Sequence, residues 1–285
     1  MRDKMVLDGK EVAAALEKKL KSRLEKLKEN SYIPKLAVIL TGDHSASAMY
    51  ASFMQKVAQK YGIQSELITR GNDITERELE SLISDLNADA SVTGILMMMP
   101  LPDHICTQKM IDCINPDKDV DGLTTVNAGR LFSGRDGFFG CTPRAVMEIL
   151  RHYKIPLEGK DIVIIGRSNV IGKPVSMMLL NENATVTICH SRSRNLKDMT
   201  RKADVIVVAV GHPCSLQGDM VKKGAVVIDV GINRIDGKTV GDVDYESVFP
   251  VAGAVTPVPG GVGAVTTTMV IESVIKAGEQ AIHKR

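Results

Sequence analysis

The sequence contains no tryptophan, and only five phenylalanines and five tyrosines occur among its 285 residues. So few aromatic side chains leave little material for the stacking platforms that bind single-stranded nucleic acid. An excess of charge of one sign is also missing, because 36 lysines and arginines nearly balance 34 aspartates and glutamates. The net charge of +2 therefore gives no electrostatic reason to expect nucleic acid or an anionic membrane as a partner.

Cysteine is scarce, and the five cysteines form no Cys-x-x-Cys pair (Cys106, Cys113, Cys141, Cys189 and Cys214). An odd number without ligand spacing argues against a disulfide framework and against a zinc site, so we expect no metal. Glycine or proline interrupts every apolar run well before the ~18 residues of a membrane-spanning helix. The first residues also lack the apolar core of a signal peptide. These absences predict a cytoplasmic protein with reduced thiols.

Short apolar runs alternate with amphipathic segments along the whole chain, which predicts parallel sheets covered by helices on both faces. The predicted strands are 36–40, 64–69, 94–99, 161–165, 185–189, 205–210 and 225–230. The predicted helices are 10–28, 45–61, a helix through residue 86 that opens with the Thr75/Glu78 capping box, 143–153 and 267–283. We expect an α/β fold with an N-terminal domain over 1–140 and a Rossmann-like domain over 141–266. The final helix, 267–285, is expected to pack back on the first domain.

A glycine pair follows the strand that opens the second half. The strand 161–165 runs into Gly166-Arg167-Ser168 and, after a short loop, into Gly172-Lys173-Pro174 at the start of a helix. Glycines at such a turn let the backbone approach a pyrophosphate, which the helix N-terminus attracts. The spacing departs from G-x-G-x-x-G, so an ordinary β-α turn is the alternative interpretation.

The next strand indicates which dinucleotide binds. NAD sites usually place an acidic residue at the end of this strand, where it holds the ribose 2′-hydroxyl. Here residues 190–194 read His-Ser-Arg-Ser-Arg, without an acid. The hydroxyl of Ser191 and the guanidinium groups of Arg192 and Arg167 suit the 2′-phosphate of NADP. A solvated basic loop is the alternative interpretation.

Five motifs, in this order, resemble one enzyme family. They are Gly94-Ile95-Leu96 followed by Pro100-Leu101-Pro102, Lys118-Asp119-Val120-Asp121-Gly122, Cys141-Thr142-Pro143, Gly166-Arg167-Ser168 with Gly172 and Pro174, and Thr256-Pro257-Val258-Pro259-Gly260-Gly261-Val262-Gly263. The chain resembles the methylenetetrahydrofolate dehydrogenase/cyclohydrolase family over essentially its whole length.

The resemblance implies a homodimer that binds tetrahydrofolate derivatives in a cleft between two domains, with NADP as the cofactor. It implies that Tyr50 stacks on the pterin ring and that Asp121 hydrogen-bonds the polar edge of the pterin, so that both orient the substrate. The cofactor is expected against Gly166, Arg167, Ser168, Gly172, Ser191 and Ile232. The substrate is expected beside Pro259, Gly260 and Gly261. Without the family, Tyr50 would be interpreted as a core aromatic and Asp121 as part of a turn.

Two positions depart from the family pattern. The resemblance associates hydrolysis of the methenyl cation with a lysine four residues after the tyrosine and with a glutamine before Pro-Leu-Pro. Met54 and Met98 stand at these positions. A thioether cannot usefully exchange a proton near neutral pH, whereas hydride transfer needs mainly orientation. The helical period turns Lys56 and Gln55 away from Met54, and His104 is a conceivable base or a loop histidine.

The sequence therefore predicts NADP-dependent oxidation of 5,10-methylenetetrahydrofolate to 5,10-methenyltetrahydrofolate, with the cyclohydrolase activity lost or weak. One alternative is a bifunctional enzyme that also forms 10-formyltetrahydrofolate. Another is a folate- and NADP-binding protein without turnover. A dehydrogenase of small hydroxy or keto acids is a fourth hypothesis, which the lack of a convincing catalytic histidine or lysine disfavours.

Overall fold

The computed structural model describes residues 5–283 and has an α/β fold, as the alternation of apolar runs predicts. Its strands, in chain order, are β1 (Met5–Val6), β2 (Lys35–Thr41), β3 (Gln64–Arg70), β4 (Gly94–Met97), β5 (Asp161–Ile165), β6 (Thr185–Cys189), β7 (Val205–Val208), β8 (Val226–Asp229), β9 (Asn233–Ile235), β10 (Lys238–Val240) and β11 (Ala254–Val255). Its α-helices are α1 (Gly9–Glu29), α2 (Ser45–Tyr61), α3 (Glu76–Ala88), α4 (Thr107–Asp112), α5 (Thr125–Phe132), α6 (Cys141–His152), α7 (Gly172–Asn181), α8 (Leu196–Thr200), α9 (Tyr245–Val248) and α10 (Val262–His283). None of the described helices is long and apolar enough to cross a membrane.

The chain divides into two compact units. The N-terminal unit comprises Leu16–Phe139 and the described residues from Val270 onward. The C-terminal unit comprises Gly140–Met269 and the described residues up to Ala15. The start of the chain thus departs from the predicted 1–140 domain. The reason is that β1 adds a parallel strand to the sheet of the C-terminal unit, with Met5 opposite Ala254.

The N-terminal unit contains a parallel sheet in the order β3-β2-β4. Its central strand, β2, is almost entirely buried because helices cover both faces. The alternation of side chains puts Ala37 and Ile39 of β2 with Ile95 and Met97 of β4 in one apolar cluster, which α3 and α4 complete. Helix α2 therefore lies on the other face. The last turns of α10 are joined to α1 by Arg23, whose guanidinium donates to Glu272 and Glu279 at 2.7 and 2.7–2.8 Å.

The ends of the helices in this unit follow from their capping residues. Thr75 and Glu78 form the predicted capping box at α3, with each side chain accepting from the other residue's backbone N–H. Helix α2 ends at Gly62, which adopts the left-handed conformation with φ of 72°. Strand β4 ends at Met97 and not at the predicted Met99, because the Ser47 hydroxyl donates to the Met99 carbonyl at 2.7 Å in place of a neighbouring strand.

The C-terminal unit contains a six-stranded parallel sheet in the order β1-β11-β8-β7-β5-β6. The strands β5, β7 and β8 are rich in β-branched residues and are mostly buried, as central strands of a doubly wound sheet are. Strand β6 lies at one edge of the sheet and is more exposed. An antiparallel hairpin, β9-β10, stands apart and turns through Asp236 and Gly237.

Candidate active site

The turn between β5 and α7 requires glycine at both predicted positions. Gly166 has φ of 128°, and a Cβ there would lie 2.3 Å from the carbonyl oxygen of Ala209. A Cβ on Gly172 would lie 2.3 Å from the Gly166 carbonyl oxygen. The chain continues from β5 to β6 on one side of it and then crosses to β7 on the other side, with all three strands parallel. Open parallel sheets bind nucleotides at this switch point, beyond the carboxyl ends of the strands.

The polar groups of this turn are Arg167, Ser168 and the backbone N–H groups at the start of α7. The Ser168 hydroxyl accepts from the backbone N–H of Ile171 at 3.1 Å and from that of Gly172 at 3.4 Å, which ties the turn to the start of α7. Arg167 and Ser168 are exposed to solvent. The helix N-terminus and the Arg167 guanidinium therefore supply positive potential at one place.

The end of β6 lies directly beside this turn. The Gly166 N–H donates to the Cys189 carbonyl at 2.8 Å, so the loop that begins at His190 shares an edge with the glycine turn. Ser193 fixes the loop by accepting from the His190 N–H at 2.9 Å, whereas Ser191 and Arg192 are exposed. The structure thus brings the predicted Gly166, Arg167, Ser168, Gly172 and Ser191 to one edge of the sheet.

Two other predicted segments also belong to the C-terminal unit. Ile232 follows β8 and is 68% exposed, and its Cδ1 is 3.5 Å from the point where a Cβ on Gly263 would lie. Gly260, in the Pro259-Gly260-Gly261 segment, accepts from the Gly9 N–H at 2.8 Å. A Cβ on Gly261 would lie 2.4 Å from the Pro257 carbonyl oxygen, so close backbone packing explains this glycine.

Tyr50 and Met54 occupy different environments on α2. Tyr50 retains 36% of its surface, next to the exposed Met49 and Phe53, and is not a core aromatic. Met54 is completely buried and belongs to the core face of the helix. Four residues advance a helix by about 400°, and the extra 40° is enough to move Met54 from the exposed boundary toward the sheet.

Met98 lies on the same side of the sheet as α2. Its N–H donates to the Ile39 carbonyl at 2.8 Å, so it continues the pairing of β4 with β2. Since Met97 faces the cluster of α3 and α4, the alternation of side chains directs Met98 to the opposite face. Met98 is 4% exposed. Both methionines are therefore buried apolar side chains in the layer between the sheet and α2.

Most residues of the Lys118–Gly122 motif have structural roles. The Lys118 ammonium donates to the carbonyls of Leu86, Asn87 and Asp89 at 2.7–2.9 Å and so caps the end of α3. Burial lowers the pKa of this ammonium.

The other members of the motif fit the backbone around α5 and β4. Asp119 is buried and accepts from the N–H groups of Leu123 and Thr124 at 3.1 and 2.9 Å, which orders the entry to α5. A Cβ on Gly94 would lie 2.2 Å from Val120 Cγ1. Asp121 stands between these residues and is half-buried.

His104 lies in a loop and contacts the backbone of a second loop. Its Nε2 lies 2.8 Å from the Ile74 carbonyl oxygen and joins two loops of the N-terminal unit. This contact agrees with the loop interpretation. Lys56 is exposed on α2, away from the face that carries Met54.

Sequence reasoning missed two buried carboxylates: Asp229, which ends β8, and Asp242, which follows the hairpin strand β10. Asp229 ends β8 and accepts three backbone N–H groups, and burial, together with the nearby charge of Asp242, raises its pKa to about 6. The available signal was the close spacing of aspartate and glycine in Asp229-Val230-Gly231 and Gly241-Asp242.

The chain is similar to characterised proteins over nearly its full length. It is 49% identical to the bifunctional protein FolD of Exiguobacterium sibiricum over 275 residues, which cover 96% of this chain and 99% of that protein. The crystal structure of the bifunctional FolD dehydrogenase/cyclohydrolase from Campylobacter jejuni matches with a TM-score of 0.95 at 46% identity, covering 97% of this chain and 99% of that one. The Trypanosoma brucei FolD structure, solved with NADP and an inhibitor, matches with a TM-score of 0.93 at 34% identity and 99% coverage of both chains.

These relatives are named as bifunctional enzymes, so they do not support the predicted loss of cyclohydrolase activity and fit the bifunctional alternative better. Two family models match the chain. Residues 7–121 match the catalytic domain of tetrahydrofolate dehydrogenase/cyclohydrolase, and residues 140–282 match its NAD(P)-binding domain. The chain belongs to the tetrahydrofolate dehydrogenase/cyclohydrolase family.

Proposed function

We propose that the chain oxidises 5,10-methylenetetrahydrofolate to 5,10-methenyltetrahydrofolate with NADP. The observation that carries the choice of NADP is the loop after β6, where Ser191 and Arg192 are exposed beside the glycine turn and no acidic residue occurs between positions 190 and 197. A carboxylate there would repel a 2′-phosphate, whereas hydroxyl and guanidinium groups bind it. The NADP complex of the Trypanosoma brucei relative supports the same choice.

The glycine turn fits a dinucleotide because Gly166 and Gly172 let the backbone pack closer than a Cβ would allow, and this tight turn leaves Arg167 and Ser168 exposed at the start of α7. When bound, NADP supplies the hydride acceptor. Tyr50 presents an aromatic ring to the pterin, and Asp121 accepts hydrogen bonds from its polar edge. The oxidation removes no proton from a heteroatom, so these residues act by orienting the substrate and not as acids or bases.

Hydrolysis to 10-formyltetrahydrofolate is the second candidate function, and the similarity to bifunctional FolD proteins favours it. Against it stand the buried side chains of Met54 and Met98, which cannot exchange protons with water or with a folate nitrogen. Hydrolysis by this chain would need another acid–base group, because such groups typically contribute ~10²–10⁴-fold to a rate. The relatives do not support the loss of hydrolysis, and the product of one turnover tests it.

The product of one turnover distinguishes the two candidates. Purified protein is mixed with methylenetetrahydrofolate and NADP, and the methenyl and formyl products are followed by their different absorbance. Accumulation of the methenyl product supports oxidation alone. Formation of 10-formyltetrahydrofolate above the uncatalysed rate supports the bifunctional enzyme.

A double variant, Met54→Lys with Met98→Gln, is the matched comparison for this assay. If these positions limit hydrolysis, the double variant forms the formyl product faster than the unchanged chain. An unchanged rate means that the positions do not limit it. Absence of any turnover with NADP would favour the folate- and NADP-binding protein without activity.

The homodimer and the cytoplasmic location also remain predictions. Light scattering coupled to gel filtration tests the homodimer, with a mass of about twice 30.9 kDa as the expected result. A mass of one chain would contradict it.

A further inference from the structure

We propose that Asp242 is a positioning residue of the NADP site, which holds the loops after β7 and β8 in the form that binds the cofactor. This inference rests on the proposed use of NADP. Asp242 has no exposed surface. Its Oδ2 accepts from the N–H groups of Val210 and Gly211 at 2.7 and 2.9 Å, and its Oδ1 accepts from Asn233 Nδ2 at 2.8 Å.

The three donors belong to the segments that border the predicted cofactor residues. Val210 and Gly211 directly follow Ala209, whose carbonyl oxygen lies 2.3 Å from the point where a Cβ on Gly166 would lie. Asn233 directly follows Ile232, a predicted cofactor residue. One carboxylate thereby fixes a segment beside the glycine turn and a segment beside Ile232.

Two glycines and a second carboxylate complete this network. A Cβ on Gly231 would lie 2.2 Å from Asp242 Cγ, and a Cβ on Gly241 would lie 1.8 Å from Asp229 Oδ2. Asp229 accepts from the Gly231 N–H at 2.9 Å and from the Asp242 N–H at 2.9 Å. Asp242 therefore fills the space beside Gly231, and Asp229 fills the space beside Gly241. The hydrogen bond to Asp229 also fixes the backbone of Asp242.

The chemistry of the donors explains why a carboxylate is needed at position 242. All three donors are N–H groups, two of them fixed backbone groups, and a carboxylate offers acceptors on both oxygens. Asparagine has the same shape but would direct its own N–H groups at one set of donors. If its Nδ2 faces Asn233, the Asn233 amide must turn over to accept, and it then loses its donation to the Gly241 carbonyl at 3.2 Å. The Asp242→Asn variant therefore breaks hydrogen bonds on one side of the network without creating a cavity.

The test compares Asp242→Asn with Asp244→Asn, a matched control two residues away that lies at the start of α9. For each protein, the circular dichroism spectrum, the Kd of NADPH, and the KM values for NADP and for methylenetetrahydrofolate are measured. We expect Asp242→Asn to raise the Kd of NADPH and the KM of NADP about tenfold, the factor for one lost buried hydrogen bond. The KM of the folate should stay within about twofold, and the control should match the unchanged chain.

Unchanged NADPH binding by folded Asp242→Asn would overturn the inference, and so would an equal rise in both KM values. If Asp242→Asn does not fold, Asn233→Ala replaces it, because this variant removes one half-buried side chain that donates to Asp242 at 2.8 Å and to the Gly241 carbonyl at 3.2 Å. It should raise the KM of NADP about threefold, and an unchanged value would overturn the inference. Failure of the unchanged chain to bind NADPH would instead contradict the proposed function.

Discussion

Replacement of Asp229 by asparagine should change how the free energy of unfolding depends on pH. Burial raises the pKa of this carboxyl from 3.8 to about 6 in the folded chain, and the three backbone N–H groups that it accepts only partly oppose this rise. Between these two values, the folded chain holds a proton that the unfolded chain has released. The free energy of unfolding therefore falls as the pH rises through this range and becomes constant above it.

The size of the effect follows from the two pKa values. One pH unit corresponds to about 1.36 kcal/mol, so a rise of about two units costs the ionised folded state about 3 kcal/mol. Asparagine does not titrate, and the other titrating groups are the same in both proteins. The difference in unfolding free energy, unchanged chain minus Asp229→Asn, should therefore decrease by about 2.5 kcal/mol between about pH 4 and about pH 7, since the unfolded carboxyl is already partly ionised at pH 4.

Urea unfolding of both proteins over this pH range measures the difference. Asp236→Asn is the matched control, because Asp236 lies exposed at the tip of the β9-β10 hairpin with φ of 48°, a conformation that asparagine also tolerates. A difference for Asp229→Asn that is constant, or that increases with pH, would mean that the pKa of Asp229 is not raised in the folded chain.

Three further substitutions test the glycine turn, the 2′-phosphate site and the cap of α3. Gly172→Ala should weaken NADPH binding by at least about tenfold, because its Cβ meets the Gly166 carbonyl oxygen. Gly129→Ala is the control, because Gly129 has open space beside it in α5. It should leave NADPH binding unchanged and raise the free energy of unfolding by up to ~1 kcal/mol. Ser191→Asp should lower kcat/KM for NADP about tenfold or more and affect NAD less, since a carboxylate repels the 2′-phosphate. Lys118→Met should lower the free energy of unfolding by about 2 kcal/mol in urea, because three carbonyls at the end of α3 lose their donor.

Each of these expectations has a contradicting result. Equal NADPH binding by the Gly172 and Gly129 variants would mean that the turn after β5 tolerates a side chain. If Ser191→Asp lowers kcat/KM equally for NADP and for NAD, the 2′-phosphate binds away from Ser191. An unchanged unfolding midpoint for Lys118→Met would mean that water replaces the ammonium at no cost.

The sequence predicted the elements whose signals are local. Helix α2 begins and ends where predicted, because Gly62 can adopt a left-handed conformation, and β5 and β6 have the predicted limits because polar residues interrupt their apolar runs. The short strands β1 and β11 depend on pairing between distant segments and left no local pattern. The β9-β10 hairpin was missed although Asp236-Gly237 is a strong turn signal. Helix α10 begins at Val262, five residues before the predicted start, where glycine and β-branched residues obscure the helical pattern.

Site residues were predictable to different degrees. Gly166 and Gly172 were predicted from the backbone geometry that a turn against a phosphate requires, and the structure gives both the close contacts that demand glycine. Asp242 was not predicted, because an aspartate that accepts backbone N–H groups looks in the sequence like any loop acid. The burial of Met54 was also not predictable from spacing alone, since the helical period placed it near Tyr50 and packing decided which of the two faces the core.

Reduction of NADP by methylenetetrahydrofolate is the most direct measure of the proposed dehydrogenase activity. The purified chain is given the folate with either NADP or NAD, and the reduced nucleotide and the methenyl product are measured together. The proposed reaction gives equimolar NADPH and methenyltetrahydrofolate as the first products, with a higher kcat/KM for NADP than for NAD. No reduction of NADP, or an equal or better efficiency with NAD, would contradict it.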